Sequence, residues 1–177
     1  LTTIQIIEGN SVGKHNQGAN GCSCHYSGST PTLSENFPST YTAGQTYNIQ
    51  ISVSGGVSGN NGGFNVVVDK GTLSTPGAGI MAVSVDSSGQ SATHTTNSYR
   101  SWSFDWTAPS SGSGTTSVGI AVLTANGNNG NSGDAWTSTT ISIPETPPSN
   151  SAPSATNVEI NPNPTAGVGV DLVAQYT

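Results

Sequence analysis

Charge is scarce in this chain of 177 residues. Only 7% of its residues are charged, against about a quarter in an average soluble domain. Nine acids outnumber the three bases Lys14, Lys70 and Arg100, and the net charge is −6. Binding to a nucleic-acid backbone or to an anionic membrane surface needs clustered bases. The composition therefore excludes both partners, and solubility has to come from uncharged polar side chains.

Long apolar runs are also absent. No stretch approaches the roughly 20 apolar residues of a membrane-spanning helix, so we expect no membrane insertion. Residues 1–4 (LTTI) lack the basic start and apolar run of a signal peptide. The Ser- and Thr-rich surface is typical of an extracellular or cell-surface protein. We therefore expect an exported protein whose signal peptide has already been removed.

Support for a hydrolytic enzyme is missing. The Gly-x-Ser-x-Gly pattern at 9–13 (GNSVG) is not followed by the helical pattern of a nucleophile elbow, and the acids stand singly rather than as the carboxylate pairs that glycosidases use. The Asn- and Gly-rich stretch 126–134 has Asp134 as its one carboxylate, where a calcium site needs several. We interpret this stretch as a surface loop and expect no enzymatic activity.

Helical periodicity is missing as well, and strand patterns take its place. Residues 46–53 (TYNIQISV) alternate apolar with polar side chains, as in a half-buried strand. Further strands are expected over 64–69, 71–74, 80–85, 100–106, 116–123 and 137–143. Trp102, Phe104 and Trp106 alternate along one of them and form a core face. About seven short strands with Gly-rich turns predict an all-β, immunoglobulin-like β-sandwich.

The composition divides the chain into four parts. An N-terminal arm over 1–12 includes a short strand at 1–7, and the sandwich covers 13–145. A Pro/Ser linker follows over 146–155, and then a strand segment or the start of a second immunoglobulin-like domain over 156–177. Strands without partners in their own domain add to the sheet edges of neighbours. We therefore expect copies of the chain to form a head-to-tail polymer.

Cys22 and Cys24 are the only cysteines, and His25 follows directly. A disulfide between them would be tight, because a one-residue spacing suits relaxed disulfide geometry poorly. A zinc or copper site would use both thiolates, His25 and a distant histidine. The third interpretation is covalent haem c, one per chain. Thioethers then hold the macrocycle and the adjacent histidine binds iron, as in Cys-x-x-Cys-His; the spacing here is one residue shorter.

A six-coordinate haem iron needs a second axial ligand. His94 follows the turn at 87–89, in a segment placed to cover the site, and we predict it as the distal ligand. His15, seven residues before Cys22, is the alternative. Met81 lies in an apolar strand pattern and is expected in the core.

Several separate motifs resemble a known family. They are the Gly-rich Cys/His segment and the stretches 41–47 (YTAGQTY), 62–65 (GGFN), 71–74 (GTLS), 93–95 (THT), 101–109 (SWSFDWTAP) and 131–136 (NSGDAW). Over about 13–145, this series resembles the reeler-like domains of prokaryotic surface proteins, also called choice-of-anchor V domains. The resemblance implies a β-sandwich exported to the cell surface. Many such domains carry Cys-x-x-Cys-His and Thr-His-Thr, which implies His25 and His94 as axial ligands, with one or two thioether links.

The sequence thus favours an extracellular mono-haem c-type cytochrome that transfers electrons, as a subunit of a surface filament. The alternative is a structural or adhesive filament module whose Cys/His site binds zinc or copper or forms a disulfide. Neither hypothesis identifies the redox partners.

Overall fold

The structure is a computed structural model that describes residues 11–25, 29–75 and 82–147. The chain divides into two compact units, Leu1–Thr146 and Pro147–Thr177. The strand expected over 1–7, Met81 and the segment from 156 onward lie outside the described residues. In the part of the chain that is described, no helix is long and apolar enough to cross a membrane.

The described residues form nine strands and one turn of 3-10 helix, Gly18–Asn20. The strands are β1 (Thr32–Glu35), β2 (Thr46–Ser54), β3 (Gly62–Val68), β4 (Thr72–Ser74), β5 (Val83–Val85), β6 (Ser91–His94), β7 (Ser101–Thr107), β8 (Thr116–Thr124) and β9 (Ala135–Ile143).

The strands pair into two antiparallel sheets. One has the order β1-β2-β7-β4, and the other has the order β5-β6-β3-β8-β9. The longest pairing joins β8 to β9, from Thr116 opposite Ile143 to Thr124 opposite Ala135. The two sheets enclose a single cluster of buried apolar side chains. The prediction of an all-β sandwich is confirmed.

Alternating side chains build the core. Trp102, Phe104 and Trp106 on β7 are all at most 3% exposed, so the predicted core face of this strand is confirmed. Ile49 and Ile51 of β2 are fully buried beside them. Each such side chain contributes roughly 1.5–3 kcal/mol when it is removed from water.

Two strands were not expected from the sequence. β6 has three polar residues among its four, Ser91, Thr93 and His94, yet every residue of this strand is buried. The polar residues satisfy their hydrogen bonds inside the protein: Thr93 Oγ1, for example, donates to Phe64 O at 2.8 Å. The other unexpected strand, β1, has no buried residue and lies at a sheet edge.

A buried asparagine holds the N-terminal loop against β3. Asn65 is 3% exposed, and its Oδ1 accepts hydrogen bonds from the backbone N–H groups of Gln17 and Gly18. Its Nδ2 lies 3.0 Å from Lys14 O and also contacts two acceptors on β6. The loop that contains the cysteines therefore has a fixed starting point on the five-stranded sheet.

Candidate functional site

The cysteine motif and His94 meet at one cavity. Its volume is about 350 Å³, and Cys22, Cys24 and His25 of the loop line it together with His94 of β6. Phe64 of β3 contributes an apolar wall. The fold thus brings together four of the five residues that the sequence singled out, although His25 and His94 lie far apart along the chain.

The turn over Cys22–His25 is closed by a hydrogen bond from His25 N to Cys22 O, at 2.8 Å. Gly21 enters this turn with φ of +73°, a conformation that glycine adopts without steric cost. A side chain at this position would also overlap the indole ring of Trp136. Gly21 is therefore required by the backbone conformation and by the close approach of the ring.

His25 is held at its ring and at its backbone. Its Nδ1 lies 2.7 Å from Asp134 Oδ2, and Trp136 Nε1 donates to His25 O at 2.8 Å. Asp134 is 1% exposed, and its second oxygen accepts from Asn126 N at 2.9 Å. With Nδ1 directed at the carboxylate, Nε2 is the nitrogen that can bind a metal.

His94 is buried at the end of β6. Its Nδ1 lies 3.1 Å from Phe64 N and 3.2 Å from Phe64 O. Nδ1 either accepts from the Phe64 N–H or donates to the Phe64 carbonyl, and the second tautomer is the one in which Nε2 keeps its lone pair for a metal. The ring also depends on Gly63, because a Cβ at that position would lie 2.6 Å from His94 Cε1.

The two cysteines are free thiols. Cys24 is exposed and Cys22 is partly buried. Burial, with a smaller contribution from Cys24, raises the pKa of the Cys22 thiol to about 12. Cys22 is therefore protonated at neutral pH in the metal-free chain.

His15 lies elsewhere on the five-stranded sheet. Its Nδ1 is 3.3 Å from Ser91 Oγ and its Nε2 is 3.3 Å from Ser84 Oγ. It does not line the cavity, so the structure directs both of its ring nitrogens to β5 and β6. The geometry favours His94, rather than His15, as the partner of His25.

A second cavity of about 340 Å³ borders the same two histidines. Its other lining residues include Ser11, Asn97 and Asn128. His25 and His94 thus line two cavities. The cysteine loop forms much of the first, and polar loops form much of the second. Lys14 is the only base and Asp134 the only acid among the described residues that line either cavity.

Sequence reasoning missed the residues that hold the two histidines. Asp134 was interpreted as part of a surface loop, but its carboxylate is buried against His25. Its position directly before Ala135-Trp136, where a strand begins, was the available signal. Gly63 and Asn65 lie in a motif noted for its family resemblance, and Asn65 also lies in the strand expected over 64–69. Nothing in their spacing predicts contact with His94 or with the loop.

No protein-family model matches the chain, and neither does any curated protein sequence. Among solved structures, the chain is similar to the reeler domain of human F-spondin, with 15% identity and a TM-score of 0.47, over 67% of this chain and 90% of that one. A second structure, the Reelin-N domain of F-spondin, has 16% identity and a TM-score of 0.48, over 67% of this chain and 87% of that one. AvmM, which catalyses macrocyclization in alchivemycin A biosynthesis, has 13% identity and a TM-score of 0.36, over 69% of this chain and 93% of that one. These values assign neither family nor function, and the sandwich rests on the strand pairings of this chain itself.

Proposed function

We propose that this chain is an extracellular mono-haem c-type cytochrome that transfers electrons. One observation carries the proposal: two histidines from distant parts of the sequence line one cavity beside the only two cysteines. Imidazole is a common axial ligand of haem iron, and adjacent cysteines are the usual anchors of haem c.

The residues at the cavity fit haem better than a small metal ion. Haem iron needs two axial ligands from the protein, whereas zinc sites take three or four. Within the described ranges, no group of three or more His, Cys, Asp or Glu side chains is arranged to hold a metal ion. Phe64 and Leu123 line the cavity, and its volume falls in the range of about 300–1,000 Å³ that is typical of ligand pockets.

In this proposal, Cys22 and Cys24 anchor the macrocycle through one or two thioethers. Each thiol adds across a vinyl double bond, with sulfur going to one carbon and hydrogen to the other, so that attachment needs no oxidant. His25 is the proximal ligand and His94 the distal ligand.

Bound haem supplies reversible one-electron chemistry. His25 and His94 would both hold the iron through their imidazoles, which would leave no position for a substrate and would suit electron transfer rather than catalysis. The electron comes from a one-electron donor and leaves to a one-electron acceptor, such as the haem of a neighbouring copy. The protein is therefore proposed not to be an enzyme.

The same proposal includes a filament of copies of this chain at the cell surface. The surface location is what the resemblance to choice-of-anchor V domains implies. Among the described residues, β1, β4, β5 and β9 each have one strand neighbour and form the sheet edges, to which strands of another copy can add. The sequence supplies strand-like segments over 1–7 and 157–176. Deletion of either segment should give monomers in light scattering, and unchanged assembly would refute the polymer.

A reduced-minus-oxidised absorption spectrum tests the haem proposal. The protein is exported from cells that attach haem c, purified, and compared with a Cys22→Ser/Cys24→Ser double variant. We expect haem bands that survive denaturation in the wild type and are lost from the double variant. Absence of haem bands from the wild type would refute the proposal. The two single variants show whether one or both cysteines form thioethers.

A further inference from the structure

The His25–Asp134 contact places a buried carboxylate against the ring of His25. A carboxylate that is 1% exposed has lost its hydration, which is costly unless the charge is paired and hydrogen-bonded. Asp134 has two such partners, the Nδ1 atom of His25 at 2.7 Å and the backbone N–H of Asn126 at 2.9 Å. The buried charge is therefore directed at the imidazole of the proximal ligand.

This contact selects one tautomer of His25. A carboxylate accepts hydrogen bonds, so the ring nitrogen that faces it must carry the proton. Nε2 is then deprotonated in the neutral ring and is available to a metal. The indole of Trp136, two residues after Asp134, holds the carbonyl of the same histidine. The start of β9 thus fixes both the ring and the backbone of His25.

The contact also affects the electron affinity of the site. Carboxylates that hydrogen-bond a metal-bound histidine increase its basicity, and a more basic ligand stabilises the more positive, oxidised iron. Asp134 is the only acid among the described residues lining the two cavities. The surroundings are partly desolvated, where a charge acts more strongly than in water.

We propose that Asp134 is a positioning residue that fixes the Nδ1–H tautomer of His25 and lowers the reduction potential of the site. The inference rests on the proposed haem function for its second part only. The first part concerns the chain alone and can be measured without haem.

The haem-loaded protein tests the effect on potential. Asp134→Asn removes the charge but keeps the size of the side chain, and Asp105→Asn is the matched control. Asp105 lies on β7 in the other sheet, where it contacts Asn48. In equilibrium with a reference dye, we expect the equilibrium constant for reduction to rise about tenfold in D134N, which is about 59 mV for a one-electron couple, and less than twofold in D105N. Equal behaviour of the two variants would overturn the proposal.

The haem-free protein tests the tautomer. Nitrogen-15 NMR of the imidazole should show His25 protonated at Nδ1 in the wild type, and a shift toward Nε2 protonation in Asp134→Ala. The same tautomer in both proteins would overturn the positioning role. If the wild type shows no haem bands, the haem function and the claim about potential fail, while the tautomer measurement still decides the positioning role. If haem binds normally but D134N behaves like D105N, the haem function stands and Asp134 has no part in tuning it.

Discussion

His94 illustrates, at the scale of single residues, how neighbours determine a ligand position. The Phe64 backbone lies at hydrogen-bonding distance from its Nδ1, and the absence of a side chain at Gly63 makes room for its ring. The rings of Phe64 and Trp102 are each centred 6.4 Å from it. Its position is thus set by packing before any cofactor is bound.

Replacement of His94 should change the coordination of the iron. In His94→Ala we expect a change from low-spin to high-spin spectra, because one strong-field axial ligand is lost. His15→Ala is the control, since within the described residues its ring nitrogens face the hydroxyls of Ser91 and Ser84 at 3.3 Å, and it should keep the low-spin spectrum. Electron paramagnetic resonance of the oxidised proteins measures this. Loss of the low-spin signal in His15→Ala, with retention in His94→Ala, would reverse the assignment.

The cysteines, His25 and His94 could be selected from the sequence because each carries chemistry that is rare in this chain. Asp134 could not, since an isolated acid in an Asn- and Gly-rich stretch is most often a solvated residue. Its burial depends on the path of the N-terminal loop, which brings His25 to the start of β9. The residues that orient a ligand are therefore less predictable than the ligand itself.

At the scale of elements, Asn65 holds a whole segment in place, because it joins the N-terminal loop to β3 and β6. Removal of its side chain leaves backbone N–H groups of Gln17 and Gly18 without their acceptor. An unsatisfied buried polar group costs about 1–3 kcal/mol. The loop therefore relies on one side chain for much of its attachment.

In Asn65→Ala we expect a loss of about 2–4 kcal/mol in the free energy of unfolding. The amides of Gln17 and Gly18 should also exchange with solvent much faster. Asn48→Ala is the matched control, since Asn48 makes its side-chain contacts on the exposed face of the other sheet. Urea unfolding and hydrogen exchange measure the two effects. Equal stability and equal exchange in the two variants would contradict the role given to Asn65.

Strands with clear alternation, such as β2 and β7, could be predicted because half of each strand faces the core. β6 could not, because its buried polar residues break the rule that links polarity to exposure. Thr93 and His94 are buried with hydrogen-bond partners on β3. The sequence alone does not reveal these partners, because they come together only when the sheet forms.

At the scale of the whole molecule, the end of the sandwich is closed around Glu145. Its two carboxylate oxygens accept from Gly112 N at 2.9 Å and Gly114 N at 3.0 Å. These hydrogen bonds, of which the one from Gly112 has the largest effect, hold the pKa of Glu145 below its ordinary value of 4.5. The backbone of Tyr41 is hydrogen-bonded to the two neighbours of Glu145: Tyr41 N donates to Pro144 O, and Tyr41 O accepts from Thr146 N.

A lowered acid pKa stabilises the fold while the group is ionised in both states. That stabilisation is present above pH 4.5 and is lost as the pH falls through the lower folded value. Glu145→Gln should therefore melt at a lower temperature than the wild type at neutral pH. The difference should shrink as the pH falls below 4.5, because the wild-type carboxyl becomes protonated as the pH passes through its lowered folded pKa. A constant difference at all pH values, measured by thermal unfolding, would contradict this account.

The sandwich could be expected from the sequence because alternation and turn residues are local signals. The convergence of His25 and His94 depends on the pairing of β6 with β3 and on the attachment of the loop by Asn65. Those long-range contacts have no local signature. The pairing of the two histidines was predicted from the place of His94 after the turn at 87–89 and was also implied by the resemblance to reeler-like domains.

Intact mass spectrometry of the exported, purified chain tests the central claim most directly. Covalent haem adds about 616 Da, the mass of the porphyrin with its iron, and we predict this increase under denaturing conditions. The Cys22→Ser/Cys24→Ser double variant should lack it. A mass equal to that of the unmodified chain, or about 2 Da below it as for a disulfide, would contradict the assignment of Cys22 and Cys24 as haem anchors.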